Sequence, residues 1–375
     1  MSARQMDARI FGICKQVKNT AIYRSAKYLW DVLCNEHPRI IYVSGDPGGC
    51  NLGDRTLFNA SRRLFNRCNF VHYPGGRAVS IPSKLLGISG LAMLAGGTLI
   101  NRLSLSEARQ YVELFPRFFV FGTGVAQSYF WSRVPGWRET LQEWKPILDR
   151  CEYVGVRGPL SAHSLTELGI SGVEVIGDPV LAYANDINMG NGSYLPKSIG
   201  LNVGQSYEKV WGSEESICSE FAKLAVIARR ERWTVKWFVV WPEDLRITEK
   251  AARLSGTEQY IYRIYSDYDK YLQLVKPLST FVGMKLHSVI LATCVSVPSI
   301  MLEYRPKCRD YMMSIGQEHN TIRTDKFKAE EVWGVVCEWN SIRTSVSNRL
   351  YECIRPLRER QRKRAEELMR VFEGR

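Results

Sequence analysis

Short apolar runs alternate with amphipathic stretches along most of this chain. Ile40–Ser44, Phe70–Tyr73, Gly90–Leu94, Phe118–Phe121, Tyr153–Val156 and Val173–Ile176 each read as a strand. Between them, Thr56–Phe65, Ser104–Leu114, Trp137–Leu148 and Pro159–Leu168 read as helices. Ahead of the first strand, Ala21–Leu33 sets Ile22, Tyr23, Ala26, Leu29, Trp30 and Leu33 at helical spacing. The pattern lapses over Asp186–Lys197, where Asn, Gly, Ser and Pro follow one another without apolar periodicity, as in a linker. It then resumes with strands at Ser198–Val203, Thr234–Val240, Thr280–Val282 and Ser299–Leu302. Their intervening helices are Glu214–Arg230, Asp244–Leu254, Asp267–Val275 and Lys285–Cys294. Glu330–Trp339 and Arg349–Phe372 close the chain as helices, the second expected to break at Pro356.

Strands that are apolar throughout are buried on both faces, which predicts parallel sheets with helices on each side. The expectation is an α/β protein of two Rossmann-like domains facing a cleft, with C-terminal helices. The boundaries fall at 1–185 for the first domain, 186–197 for the linker, 198–326 for the second and 327–375 for the helices and basic tail. Glycines cluster where strands end, at Gly45, Gly96-Gly97, Gly122, Gly124 and Gly177. Ligands of such sheets bind outside the carboxyl ends of the strands. Many sugar transferases share this architecture, but a fold does not by itself name a chemistry.

Composition narrows the partners. The 375 residues are 45% hydrophobic and 24% charged, as in an ordinary globular protein, and carry a formal net charge of +13. That balance favours anionic partners: phosphorylated small molecules, nucleic acid or an acidic membrane face. No RNA-binding aromatic motif, zinc finger or helix-turn-helix pattern accompanies the charge, so nucleic acid is not expected. The ten cysteines form no CxxC pair, which speaks against zinc and redox sites and for reduced thiols. Met1–Lys18 is polar and lacks the apolar stretch of a signal peptide, and the apolar run Leu85–Ile100 is broken by four glycines. A cytoplasmic protein is expected, with the inner face of the membrane as one place of work. Arg355–Arg364 is strongly basic and precedes Leu368, Val371 and Phe372. It suits either an anionic membrane surface or a helix face packed back over the first domain.

Candidate chemistry sits at the strand ends. Arg157 follows a strand and precedes a helix, beside an N-terminus that attracts anions. Lys285 and His287 stand at a similar junction, and residues two apart converge only if the helix begins after the first of them. Asn51, Gly53 and Asp54 occupy the first strand-to-helix loop. Asp54 and Asp178 serve equally well as helix-cap and turn residues. Asp267-Tyr268-Asp269 has the D-x-D form of metal–nucleotide sites but also opens a predicted helix, where aspartate caps. No metal is expected.

Five segments in order carry a family resemblance. They are Gly49-Cys-Asn-Leu-Gly-Asp54, Ala95-Gly-Gly-Thr-Leu99, Gly122-Thr-Gly-Val125, Val156-Arg-Gly-Pro-Leu-Ser161 with Gly177-Asp-Pro179, and Gly283-Met-Lys-Leu-His287 with Tyr304-x-x-Lys307. With these the chain resembles the polysaccharide pyruvyl transferases. The resemblance implies a GT-B-like fold and transfer of pyruvate from phosphoenolpyruvate, as co-substrate without a cofactor, onto a sugar or lipid-linked glycan as a cyclic ketal. It implies His287 as catalytic acid, and Asp54 on the first loop reads as the general base or an acceptor ligand. It implies Arg157, Lys285, Leu286, Lys307, Gly97 and Gly124 on the donor, with Asn51, Gly53 and Asp178 on the acceptor. Lys285 stands where the family signature has arginine, keeping the charge and losing the bidentate fork. Two other classes stay open: a nucleotide-sugar transferase of the sialyltransferase kind, and a non-catalytic scaffold of the same fold.

Overall fold

The computed structural model describes residues 21–34, 39–43, 45, 48–74, 91–115, 117–131, 137–184, 194–205 and 209–373. The readings for residues 1–18 and for the linker through residue 193 lie outside them. The first half contributes β1 (Arg39–Val43), β2 (Asn69–His72), β3 (Leu91–Ala95), β4 (Arg117–Thr123), β5 (Tyr153–Val156) and β6 (Glu174–Val175). The second contributes β7 (Leu195–Asn202), β8 (Thr234–Val239), β9 (Ile261–Arg263), β10 (Leu278–Gly283), β11 (Ser299–Glu303) and β12 (Thr321–Arg323). The sheets run β2-β1-β3-β4-β5-β6 and β12-β11-β10-β7-β8-β9, with every pairing parallel. The second is the Rossmann order, and its direction reverses between β7 and β10, where a ligand crevice opens.

Burial on both faces accounts for the composition of the strands. In the first sheet, Ile40, Tyr42, Met93, Phe119 and Phe121 enter a core continuous with that of the second sheet. Their neighbours Ile41, Val43, Ala92, Leu94, Phe118 and Val120 enter a separate core on the opposite face. The covering helices are α1 (Ala21–Cys34), α2 (Leu52–Leu64), α3 (Leu105–Leu114), α4 (Pro159–Glu167), α5 (Glu214–Arg230) and α6 (Leu245–Ser255). They continue with α7 (Tyr268–Val275), α8 (Leu286–Cys294), α9 (Pro306–Ser314), α10 (Ala329–Ser341) and α11 (Arg343–Glu373).

Four features differ from the expectations. The helix expected over Trp137–Leu148 is two, Trp137–Gln142 and Lys145–Leu148, because Pro146 lacks the N–H that would continue the first. Pro356 does not interrupt α11, whose buried Ile354, Leu357 and Gln361 hold it against the body of the protein. Leu195–Lys197, assigned to the linker, begin β7; Leu195 pairs with Leu278 across a register shift, and Lys197 takes a φ of 52°. β9, β12 and α9 went unpredicted, the strands being three-residue sheet edges that are mostly part-buried.

α11 spans both halves. Near its start Arg343 donates to the Leu278 carbonyl at 3.3 Å. Further along, Gln361 donates to the carbonyls of Ile176 and Asp178 at 2.9 and 2.8 Å, and Arg364 pairs with Glu174 at 2.6 Å. Part of the basic tail is therefore laid against the edge of the first sheet. Asp267 caps α7, accepting from the Lys270 N–H at 2.9 Å. Among the described residues, no helix is long and apolar enough to cross a membrane.

Candidate active site

The strand ends of the second sheet build a pocket of about 290 Å³. Gln205 enters after β7, Trp241 after β8, Lys285 and His287 after β10, and Arg305 and Lys307 after β11. Asn51 and Gly53, from the start of α2, close it from the first half. A backbone bond across the cleft, from the Leu52 N–H to the Val240 carbonyl at 3.1 Å, fixes that approach. α8 and α9 both begin at the pocket. Their first turns bring N–H groups with no intrahelical partner and the positive end of each helix dipole.

Lys285 is the cap residue of α8 with an extended backbone, so it lies outside the helix and reaches the same pocket as His287. Its N–H and the Ser288 hydroxyl both donate to Asn202 Oδ1, at 2.9 and 2.8 Å, which shapes the turn. The Lys285 ammonium pairs with Asp244 at 3.0 Å, donates to the Gln205 carbonyl at 2.7 Å and lies 4.6 Å from the centre of the Trp241 ring. Burial lowers its pKa, with Asp244 opposing; burial pushes the Asp244 carboxyl up to about 6, with Lys285 opposing.

Lys307 is placed differently. Its ammonium stands 5.0 Å from the centre of the Tyr304 ring, and no carboxylate among the described residues pairs with it. Burial, then the Arg305 cation, push its pKa down to about 7. His287 is similarly held: burial, then Lys307 and Arg157, push the imidazole down to about 3, so the ring is neutral in the empty site. Its Nδ1 abuts Gly53, where an added Cβ would come within 2.3 Å of it, a space only glycine leaves open. Its Nε2 points the other way, 3.8 Å from Asp178 Oδ2.

Of the other predicted residues, Asn51, Gly53 and Leu286 line this pocket, while Arg157, Gly97, Gly124, Asp54 and Asp178 do not. Arg157 was expected to touch the donor, but its side chain is 0% exposed. Its guanidinium donates to the Gly97 carbonyl at 2.6 Å and to the Thr98 hydroxyl at 3.2 Å, and lies 3.7 Å from Asp310. Gly97 and Gly124, also expected on the donor, instead serve Arg157: Gly97, at a φ of 63°, gives it a carbonyl, and Gly124 makes room for it, since a Cβ there would sit 2.2 Å from the guanidinium. Asp310 from the second half also accepts from the Ser161 N–H and hydroxyl at 3.1 and 2.7 Å, capping α4. Arg157 thus reaches the site by its charge and locks the halves together. Asp178, expected at the acceptor, is fully buried behind His287 and accepts from the Val180 N–H at 3.1 Å. Asp54 lies against Gly45 in the first turn of α2, and Asn51 accepts from the Gly53 N–H at 2.9 Å as its cap. Leu286 lines the pocket at the first position of α8.

Asp244, Trp241, Arg305 and Asp310 escaped the sequence reading. Arg305 was legible in principle, since it follows β11 as Lys285 follows β10. A second, wider pocket of about 500 Å³ adjoins the first and shares Arg305 and Lys307 with it. Its other walls come from the first sheet's strand ends, with Thr98 and Asn101 after β3, Val125 and Gln127 after β4, and Trp131 beyond.

The family model for polysaccharide pyruvyl transferase matches residues 51–306, which contain Arg157 and every lining residue of both pockets except Lys307. The chain belongs to the polysaccharide pyruvyl transferase family. Membership makes it a transferase and implies pyruvate transfer onto polysaccharide. No curated protein matches the chain. Among solved structures, it is similar to a UDP-glucosyltransferase from Polygonum tinctorium capable of glucosylating indoxyl. The identity is 12%, the TM-score 0.54, and the match covers 91% of this chain and 100% of that one. It is also similar to S. aureus MnaA in a structure with UDP, at 11% identity and a TM-score of 0.50, over 80% of this chain and 86% of that one. At such identities these likenesses show the two-sheet, GT-B-like fold of this family member and nothing about its substrate.

Proposed function

We propose that the chain transfers pyruvate from phosphoenolpyruvate to two hydroxyls of one sugar in a polysaccharide, free or lipid-linked, making a cyclic ketal and releasing phosphate. The observation that carries this reading is Lys307, an ammonium held among cations at two helix N-termini. Such a site is unfavourable when empty and is relieved by a compact anion with several negative groups. Phosphate and carboxylate on a three-carbon frame meet that description. Lys307, Arg305 and the first turns of α8 and α9 hold the donor, while Lys285 is already shared with Asp244.

Burial holds His287 neutral, with Lys307 and Arg157 adding to it; the donor's negative charge offsets those two cations and so draws a proton onto the imidazole. The ring passes that proton to C3 of the enol, and C2 becomes oxocarbenium-like. A sugar hydroxyl adds to C2 and gives up its proton to His287; the C2–O bond to phosphate breaks; the second hydroxyl closes the ketal, and its proton leaves with the phosphate. The sugar lies in the wider pocket, which meets the donor pocket along Arg305 and Lys307.

Thermal stabilisation tests the donor. Phosphoenolpyruvate at 100 times its dissociation constant is expected to add ~2.7 kcal/mol of stability, and a panel of nucleotides none. Stabilisation by a nucleotide alone would move the reading to a nucleotide-sugar transferase; no stabilisation by any of them would favour the scaffold.

A further inference from the structure

Two buried polar atoms face each other behind the candidate donor pocket, and neither has a hydrogen-bond partner: Nε2 of His287 and Oδ2 of Asp178, 3.8 Å apart. Their placement has separate local causes. Asp178 is fixed by its other oxygen, Oδ1, which accepts from the Val180 N–H and caps the turn Pro179–Tyr183. Its backbone carbonyl is held by Gln361 of α11. His287 is fixed by its position in the first turn of α8 and by the close approach of Gly53. A buried carboxylate oxygen and a buried ring nitrogen left unpaired this close together each carry a desolvation cost, which a shared proton removes. The gap is longer than the ~3 Å of a hydrogen bond, as is common for catalytic pairs before substrate binds.

We propose that Asp178 is the positioning residue of His287: its Oδ2 takes the Nε2–H of the imidazole and thereby leaves Nδ1, on the pocket side, as the atom that carries the transferred proton. The proposal rests on the reading of His287 as the proton-transfer group. Around neutrality the pair then consists of an ionised carboxylate and a neutral ring with its proton on Nε2. A second proton enters at Nδ1 when the anionic donor binds, passes from Nδ1 to the enol carbon, and is restored to Nδ1 by the attacking hydroxyl. The Nε2 proton never leaves the pair.

The charges around the dyad agree with this order. Lys307 and Arg157 face His287 and oppose its protonation in the empty site, while Arg157 also favours the ionised form of Asp178. Cys294 and Tyr311 are the other titratable groups near the carboxylate; burial raises both above their ordinary values, and the Asp178 charge adds to it. Burial pushes Asp178 up to about 6, which leaves it largely ionised at pH 7.5.

The test is the tautomer of His287, read from the nitrogen chemical shifts of protein labelled with ¹⁵N at histidine. The resonance is assigned by its loss in His287→Gln. In the wild type, without donor, the proton is expected on Nε2 and the lone pair on Nδ1. In Asp178→Asn the side-chain oxygen can still cap the Val180 N–H, but the amide turns a donor toward Nε2, so the proton is expected to move to Nδ1. Turnover of phosphoenolpyruvate should fall ~10²-fold or more, with less than a threefold change in its dissociation constant. A wild-type ring protonated on Nδ1 would overturn the proposal without any variant having to fold, as would an Asn variant of unchanged tautomer or turnover. Failure of the donor reading looks different: phosphoenolpyruvate would neither bind nor turn over, while the tautomer would still report on the pair.

Discussion

The carboxyl edges of the two sheets use their basic residues in opposite ways. At the edge of the first, Arg157 follows β5 and is spent inside the protein, on the Gly97 carbonyl, the Thr98 hydroxyl and Asp310 of the other half. At the edge of the second, Lys307 follows β11 and stands among cations beside the Tyr304 ring, with no carboxylate paired to it among the described residues. The sequence context is similar, a basic residue between a parallel strand and a helix. The difference lies in what the opposite half supplies. Asp310 comes across the cleft to meet Arg157, whereas the first half meets the second sheet's pocket with Asn51 and Gly53, which carry no charge. A cation that a partner has already neutralised holds a protein together; one left uncompensated waits for a ligand.

Three substitutions sharpen that contrast. The largest effect is expected from His287→Ala, which should lower kcat with phosphoenolpyruvate by ~10²–10⁴ while donor binding changes much less. Single-turnover kinetics beside a binding isotherm checks it, and retained turnover would remove His287 from the chemistry. Next is Arg157→Ala, which leaves the Asp310 carboxylate buried without its cation. The expected loss is about 3–5 kcal/mol of folding stability, read from urea unfolding, and an unchanged midpoint would contradict the enclosed pair. Lys307→Met should act in the other direction. In the folded protein Lys307 gives up its proton near pH 7, but the unfolded chain keeps it up to the ordinary lysine range. Between those values the unfolded state binds more protons, so the stability of the empty protein should rise with pH across that window. Below pH 7 the cost is fully present. Unfolding midpoints across pH 6–9 should show this slope in the wild type and a smaller one in Lys307→Met.

The fold was largely legible because most strands are apolar on both faces, and such runs stand out in any sequence. The elements that escaped were of the opposite kind. β9 and β12 bury little, and α9 carries Lys307, Arg309 and Asp310 among its buried Cys308, Tyr311 and Met312. The same limit shaped the reading of the site. Motifs brought Lys285, Leu286, His287 and Lys307 together correctly because they follow neighbouring strands of one sheet. They gave no guide to which cation meets a carboxylate, since Asp310 lies 153 positions beyond Arg157 and Asp244 lies 41 before Lys285. Asp178 shows the point most sharply: Gly-Asp-Pro reads as a turn, and is one, yet its unused oxygen faces the histidine. Long-range pairing of charges is a property of the closed cleft, and no local pattern records it.

The proposed carboxyl-edge anion site of the second sheet, built around Lys307, is made for phosphoenolpyruvate. Calorimetric titration of phosphoenolpyruvate at pH 8, in buffers of different ionisation enthalpy, tests it most directly. Lys307 is mostly unprotonated there when the site is empty, and the donor should draw a proton onto it. Binding in the wild type is expected with uptake of roughly two protons, one at Lys307 and one at His287. In Lys307→Met binding is expected to be weaker by about 1.5–3 kcal/mol, with about one proton fewer taken up. Equal affinity and equal proton uptake in both proteins would contradict the proposed site.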